Sequence, residues 1–272
     1  MPSSEKRERQ RQNRDARRVA EFEAEKKHKR NRSIRNFGLL LIPFVIIFVI
    51  LQVTNNSGSS SSSSSSNVAC GAKAPAKNTS KQYGAAPKMT IDTSKTYVAE
   101  MDTSCGKIRI TLDAATAPQS VNSFVFLAKE GFYNGTLFHR IVTDFVDQGG
   151  DPKGDGTGGP GYTLPDEAAT RAYQGGDVAL ARGSSGISGS QFFLVVSDKG
   201  GKNLGGPPGQ YNLIGTMSKQ GLKVAQKINT FGANTEAGKP TKTIYVFSAK
   251  VSAPTSSSST TTSSSTTTTV AP

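Results

Sequence analysis

The sequence predicts a mainly β protein: a closed barrel of eight antiparallel strands plugged at its ends by two helices, preceded by one transmembrane helix. Three observations carry this. Roughly eight short runs of β-branched and aromatic residues are separated by glycine-containing turns. Two further segments have helical apolar spacing. The span 96–251, about 155 residues, suffices for a single core.

Within that span, Tyr97 to Met101 and Lys107 to Leu112 read as strands joined by a turn at Thr103 to Gly106. Pro118 to Glu130 reads as a helix: proline sits in its first turn, Val121, Phe124, Val125 and Ala128 recur on one side, and Gly131 stops it. Thr136 to Val142 follows an Asn134-Gly135 turn signal and alternates as a strand. Period two puts Phe138, Arg140 and Val142 on one face and Leu137, His139 and Ile141 on the other. His139, opposite Arg140, is expected to be a satisfied structural histidine. A break at Thr143-Asp144 leads into Phe145-Val146-Asp147-Gln148 and the turn-forming Gly149-Gly150-Asp151. Gly154 to Gly161, GDGTGGPG, lacks the G-K-[ST] of a phosphate cradle and reads as turns. Further strands are expected at Asp177 to Ala181, Gln191 to Val196 and Leu213 to Met217, then a helix near Leu222 to Ile228 and a closing strand, Thr243 to Val251.

The segments outside the domain have their own signatures. Net charge is +13, of which +7 lies in residues 1–36. The basic character is therefore a tail property, and no nucleic-acid partner is expected for the globular part. Phe37 to Val53 is uncharged; its seventeen residues rise about 25 Å as a helix, near the lower limit for a bilayer. With the Lys/Arg cluster before it, this run reads as an uncleaved signal anchor, the N-terminus cytoplasmic and the domain extracytoplasmic. A cleaved secretory signal is the rival reading, though no A-x-A site follows the run. Residues 54–95, with eight serines at Ser59 to Ser66, read as a flexible linker, and 252–272 as a Ser/Thr-rich disordered tail. The two cysteines, Cys70 and Cys105, suggest a disulfide if both are extracytoplasmic; two free thiols are the alternative. Two cysteines with only His28 and His139 do not suggest a metal site.

The chemistry sits in Tyr133 to Asp151, YNGTLFHRIVTDFVDQGGD: a permanent guanidinium and a neutral amide among aromatic and aliphatic residues, with no carboxylate pair or activated nucleophile. This stretch resembles the signature of the cyclophilins, the peptidyl-prolyl cis-trans isomerases. The pattern is carried by Tyr133, Phe138-His139-Arg140, Ile141-Val142, Phe145-Val146 and Gln148-Gly149-Gly150. A second block, Gly189-Ser190-Gln191-Phe192-Phe193, matches the family's G-S-Q-F-F strand.

The resemblance implies the same barrel, and proline-containing polypeptides as substrates with no cofactor. It makes Arg140 the catalytic donor and Phe145, Val146 and Phe193 walls of the proline pocket, with Phe192 in the core. Gln148 and Gln191 become polar contacts to the substrate backbone. Ala181 and Arg182 align with the strand that pairs with the peptide, and Tyr211 takes the place of a pocket histidine. Alternation separates Phe145 from Gln148, so a bend or bulge is expected between them. Arg182 replaces the usual Asn and Val146 a common Met. No tryptophan is present, and the segment from Phe193 to Tyr211, with Leu204 and Pro207-Pro208, is longer than usual. No residue is assigned to the wall the tryptophan supplies in many members. A monomeric isomerase for exported or envelope proteins is the leading reading; the alternative is a non-catalytic module binding proline peptides at the envelope.

Overall fold

In the computed structural model, which describes residues 67–79 and 81–252, the chain after the linker opens with a hairpin. Strands β1 (Tyr97–Thr103) and β2 (Gly106–Leu112) pair from Tyr97–Leu112 to Thr103–Gly106. Thr103 ties the turn, its hydroxyl donating to the Gly106 carbonyl at 2.6 Å and accepting from Cys105 N–H at 3.2 Å. Helix α1 (Pro118–Lys129) follows, burying Val121, Phe124, Val125 and Leu127. Burying each of these large side chains contributes about 1.5–3 kcal/mol. Its N-cap residue, Ala117, has no side chain able to cap; the Glu167 carboxylate accepts from Gln119 and Ser120 N–H at 2.8 and 2.9 Å instead. The exposed amides of a first helical turn are thus satisfied from elsewhere in the sequence.

Next come β3 (Leu137–Val142), β4 (Val146–Asp151), the two-residue β5 (Thr163–Leu164), β6 (Asp177–Gly183) and β7 (Gly186–Val195). A short helix the sequence does not signal, α2 (Asp198–Asn203), sits in the long segment before β8 (Asn212–Met217). Helix α3 (Lys219–Asn229) and β9 (Val246–Ser252) complete the order. Ser197 and Ser218 cap α2 and α3, accepting from Gly200 and Gly221 N–H, each at 3.0 Å.

The sheet runs β3-β4-β7-β6-β8-β2-β1-β9, every pair antiparallel, with β5 on β7. The expected closure does not occur: β3 and β9 end the path without a shared ladder, leaving an open half-barrel. An isolated bridge between Leu137 and Tyr245 and the Phe138 N–H to Ile244 carbonyl bond, 3.0 Å, mark the seam. The cause is competition for the free edge of β3. The loop from Phe231 to Thr241 takes it, with Ile141 N–H donating to Gly238 O at 2.7 Å and Ala233 N–H to Ile141 O at 3.1 Å. Gly238 has φ 54, and a Cβ there would lie 2.8 Å from Val142 Cγ2 and 3.0 Å from Arg140 Cγ. A side chain would push the loop off the strand.

The domain also starts earlier than composition suggests. Residues 67–95, read as part of the linker, are strapped to the body. Ala69 N–H donates to Thr243 O at 2.9 Å, the Asn78 amide to Asn134 O at 2.7 Å, and Tyr83 N–H to Pro160 O at 2.8 Å. Asn122 of α1 accepts from Thr90 N–H and donates to Lys88 O, each at 3.0 Å, and Tyr83 packs edge-on to Phe126. A left-handed Cys70 (φ 61) in the turn Ala69–Gly71 is joined to Cys105 by a disulfide, with Cα atoms 5.2 Å apart. The anchor expected over 37–53 and the tail from 253 lie outside the described residues. Among the described residues no helix is long and apolar enough to cross a membrane.

Two apolar clusters lie on opposite faces of the sheet. The larger, between the sheet and the helices, holds Met101, Ile110, Phe124, Phe138, Ile141 and Phe192. The smaller, on the outer face of β4, β6, β7 and β8, holds Val146, Ala179, Ala181, Phe193, Val195 and Leu213.

Candidate active site

One register row crosses the outer face: Arg140 pairs with Gln148, Gln148 with Phe193, Phe193 with Ala179, and Ala179 with Leu213. Directly paired residues on antiparallel strands present their side chains to the same face. The guanidinium, the amide and the smaller apolar cluster are thereby set side by side. Gln191, two residues before Phe193 on β7, shares the face.

Arg140 reaches this row only because β3 is irregular. The register slips between Phe138 and Arg140, leaving His139 as the extra residue of a bulge. Simple alternation, which puts Phe138 and Arg140 together, is therefore corrected: Phe138 and Ile141, 1% and 0% exposed, both enter the main core, and Arg140 faces outward. His139 is corrected too. It is half-buried against Gly156, and neither ring nitrogen has a hydrogen-bond partner among the described residues. Burial pushes its pKa below 6.5, while Asp151 and Asp155 pull it up.

Arg140 is held at two of its nitrogens. Nε donates to the Glu236 carbonyl at 2.8 Å and Nη1 to Gln148 Oε1 at 3.4 Å. Gln148 Nε2 donates to Gln191 Oε1 at 3.0 Å; Gln191 Nε2 donates to Gly158 O at 2.7 Å and Gly156 O at 3.0 Å. Nη2 has no partner among the described residues. Burial pushes the guanidinium pKa down while Tyr211 and Glu236 push it up; an arginine so placed stays charged throughout the working range.

Phe145 precedes β4 in a turn where Asp144 takes φ 59. Being outside the strand, it is free of the alternation that would separate it from Gln148; Val146 and Gln148 share a face in the ordinary way. The bend expected between Phe145 and Gln148 thus lies before the strand. Phe145 and Tyr211 are the partly buried members packed on the smaller cluster, and Phe193 meets Tyr211 edge-on with centroids 5.1 Å apart. Leu204, at the end of α2, and Tyr173 also join the cluster. The Tyr173 hydroxyl brackets the backbone of Tyr211, donating to its carbonyl at 2.7 Å and accepting from its N–H at 3.0 Å. Tyr173 and Leu204 sit in loop and helix-end positions with no periodic signal.

Ala181 lies in the cluster, whereas Arg182, past a register shift in β6, is exposed at the rim. It is tied to Asp166 at 2.7 Å and to the Gln210 carbonyl at 2.8 Å. Both Arg140 and Arg182 act electrostatically on Tyr211, lowering a phenol pKa that burial raises. A separate cleft of about 310 Å³ lies between the strap and α1, lined by Pro87, Met89, Pro118, Gln119, Asn122 and Leu164. It contains none of the predicted site residues and no ionisable group.

Residues 98–251 match the family described as cyclophilin type peptidyl-prolyl cis-trans isomerase/CLD. The chain belongs to this family. It is 42% identical over 138 residues to a peptidyl-prolyl cis-trans isomerase of Helicobacter pylori, covering 50% of this chain and 82% of that one. It is 37% identical over 179 residues to a probable peptidyl-prolyl cis-trans isomerase B of Mycobacterium tuberculosis, covering 59% and 56%. Among solved structures, a cyclophilin type isomerase of Cryptosporidium parvum superposes with a TM-score of 0.49 at 24% identity, covering 59% of this chain and 99% of that one. This cyclophilin is accordingly an isomerase of X-Pro bonds.

Proposed function

We propose that Arg140 is the catalytic donor of this cyclophilin and that the proline ring of the substrate sits against Phe145, Val146, Phe193 and Tyr211. Rotation about an X-Pro bond crosses a barrier of about 18–20 kcal/mol because resonance stiffens the C–N bond. In the twisted state the nitrogen regains its lone pair. A fixed donor aimed at that nitrogen stabilises the twisted state over either planar one. The observation that carries the reading is a guanidinium Nη2 without a hydrogen-bond partner among the described residues, in the same register row as Phe193. Gln148 and Gln191 contact the substrate backbone, and Ala181 and Arg182 form the edge along which the peptide lies. The working unit is a monomer.

The test is a prolyl-isomerisation assay on residues 67–252, wild type beside Arg140→Ala. Losing a preorganised donor to the transition state costs about 10²–10³ in rate. Equal rates would remove the mechanism.

The substrates are exported or envelope polypeptides, and the domain stands outside the cytoplasm on an N-terminal anchor at 37–53. The Cys70–Cys105 disulfide supports this, since such bonds persist in oxidising compartments. The charged run before 37 and the apolar run after it agree. Protease added to intact cells should digest the domain; full protection would reverse the orientation.

A further inference from the structure

Three side-chain bonds from α3 converge on the turn that carries Phe145 and Val146. Asn229, the last residue of α3, accepts from Asp144 N–H at 2.9 Å. Its amide nitrogen donates to the Val142 carbonyl at 3.0 Å and to Asp147 Oδ1 at 2.7 Å. One amide therefore spans the connection from the end of β3 to the start of β4. The turn requires such restraint, because Asp144 occupies the left-handed region at φ 59, which a non-glycine residue keeps only where its surroundings hold it. From the outer side Ser197 Oγ donates to the Asp144 carbonyl at 2.7 Å, and Val196 N–H to the Phe145 carbonyl at 3.2 Å.

Asp147 is fully buried and pairs in register with Ile141 and Leu194, so it faces the main core, behind Val146 and Gln148. Oδ2 has no partner among the described residues. Burial pushes its pKa well above the ordinary aspartate value, and the Asn229 bond opposes this. Oδ1 accepts from Asn229 whether or not the acid holds its proton. A buried polar pair adds little stability over an apolar pair of the same shape, and what it supplies is direction.

We propose that Asn229 and Asp147 are positioning residues for the proline slot: from behind the sheet they fix the β3–β4 turn, and with it Phe145 and Val146, so that they govern peptide affinity and not the rotation step. The proposal rests on the assignment of those two residues to the slot.

Steady-state isomerisation of a prolyl peptide by residues 67–252 tests it, comparing Asn229→Ala, Ser197→Ala and Asp147→Asn with Arg140→Ala. Asn229→Ala is expected to raise KM roughly five- to tenfold with kcat within twofold. Ser197→Ala, which removes the outer bond to the same turn from a partly exposed position, is expected to raise KM about twofold, and it stands as the test if Asn229→Ala does not fold. Asp147→Asn presents the same acceptor to Asn229 and is expected to leave KM within twofold. A lowered melting temperature with KM unchanged in the folded variants makes the pair merely structural and overturns the proposal. A fall in kcat matching the rise in KM overturns it too, as does an Asp147→Asn variant as impaired as Asn229→Ala. If Arg140→Ala is inactive while the clamp variants match wild type, the slot assignment stands and the clamp alone falls; if Arg140→Ala is also unchanged, both fall.

Discussion

Breaking the Cys70–Cys105 bond, by reductant or by Cys105→Ser, should loosen the strap without reaching the slot. The bond joins residues 35 positions apart. In the chain-entropy description, closing a loop of that size removes about 13 cal/mol/K from the unfolded chain, or about 3.8 kcal/mol at 25 °C. For a domain of this length each kcal/mol moves the melting temperature by about 2–4 °C, so a fall of about 8–15 °C is expected. The strap keeps its bonds from Asn78, Tyr83 and Thr90 in the reduced protein, so the folded state should persist at 25 °C. Thermal unfolding with and without reductant gives the shift, and a prolyl-isomerisation assay at 25 °C should give equal rates in both states. A shift below about 3 °C would show that the unfolded chain gains little freedom on reduction. An equal stability loss accompanied by lost activity would mean that the strap governs the site.

Two further outcomes follow from buried carboxylates and caps. Asp147 has a folded pKa raised above its unfolded value, so its contribution is fully present below about pH 3.9 and is lost as pH rises toward the folded value, at about 1.4 kcal/mol per pH unit. Urea midpoints measured against pH should therefore rise for Asp147→Asn relative to wild type as pH increases from 5 to 8, and parallel curves would contradict a raised Asp147 pKa. Replacing Glu167 with Ala strips the cap from the first turn of α1 and should cost about 1 kcal/mol in urea unfolding; no change would show that water replaces the carboxylate without loss.

Much of this architecture is legible in the residues. Alternation separates Phe192 in the core from Phe193 in the smaller cluster because β7 pairs with β4 without a slip over that stretch. Pro118 and Gly131 bracket α1 through backbone preferences that need no tertiary context. Alternation fails in β3, where an inserted residue reverses the face between Phe138 and Arg140; nothing local to Leu137–Val142 announces it. The Arg140 assignment is drawn from the family pattern and does not depend on the period. The strap escapes notice for a different reason. Its hold is backbone and amide bonding to partners such as Asn122, Asn134 and Pro160, which leaves no hydrophobic rhythm to read. Closure fails at the seam because the loop that takes the edge of β3 lies about 90 residues downstream, and Leu204 joins the smaller cluster from a helix with no apolar stripe.

The glutamine relay beside Arg140 has a consequence for where positive charge is available. Every link points the same way, from guanidinium to amide to amide to peptide carbonyl, so the oxygen ends of the dipoles face the cation all along the line. Charge is thereby steadied without a counter-ion bonded to it. At the rim the other arginine is matched by an aspartate and largely cancelled. Of two like side chains near one tyrosine, only the outer one is ion-paired among the described residues.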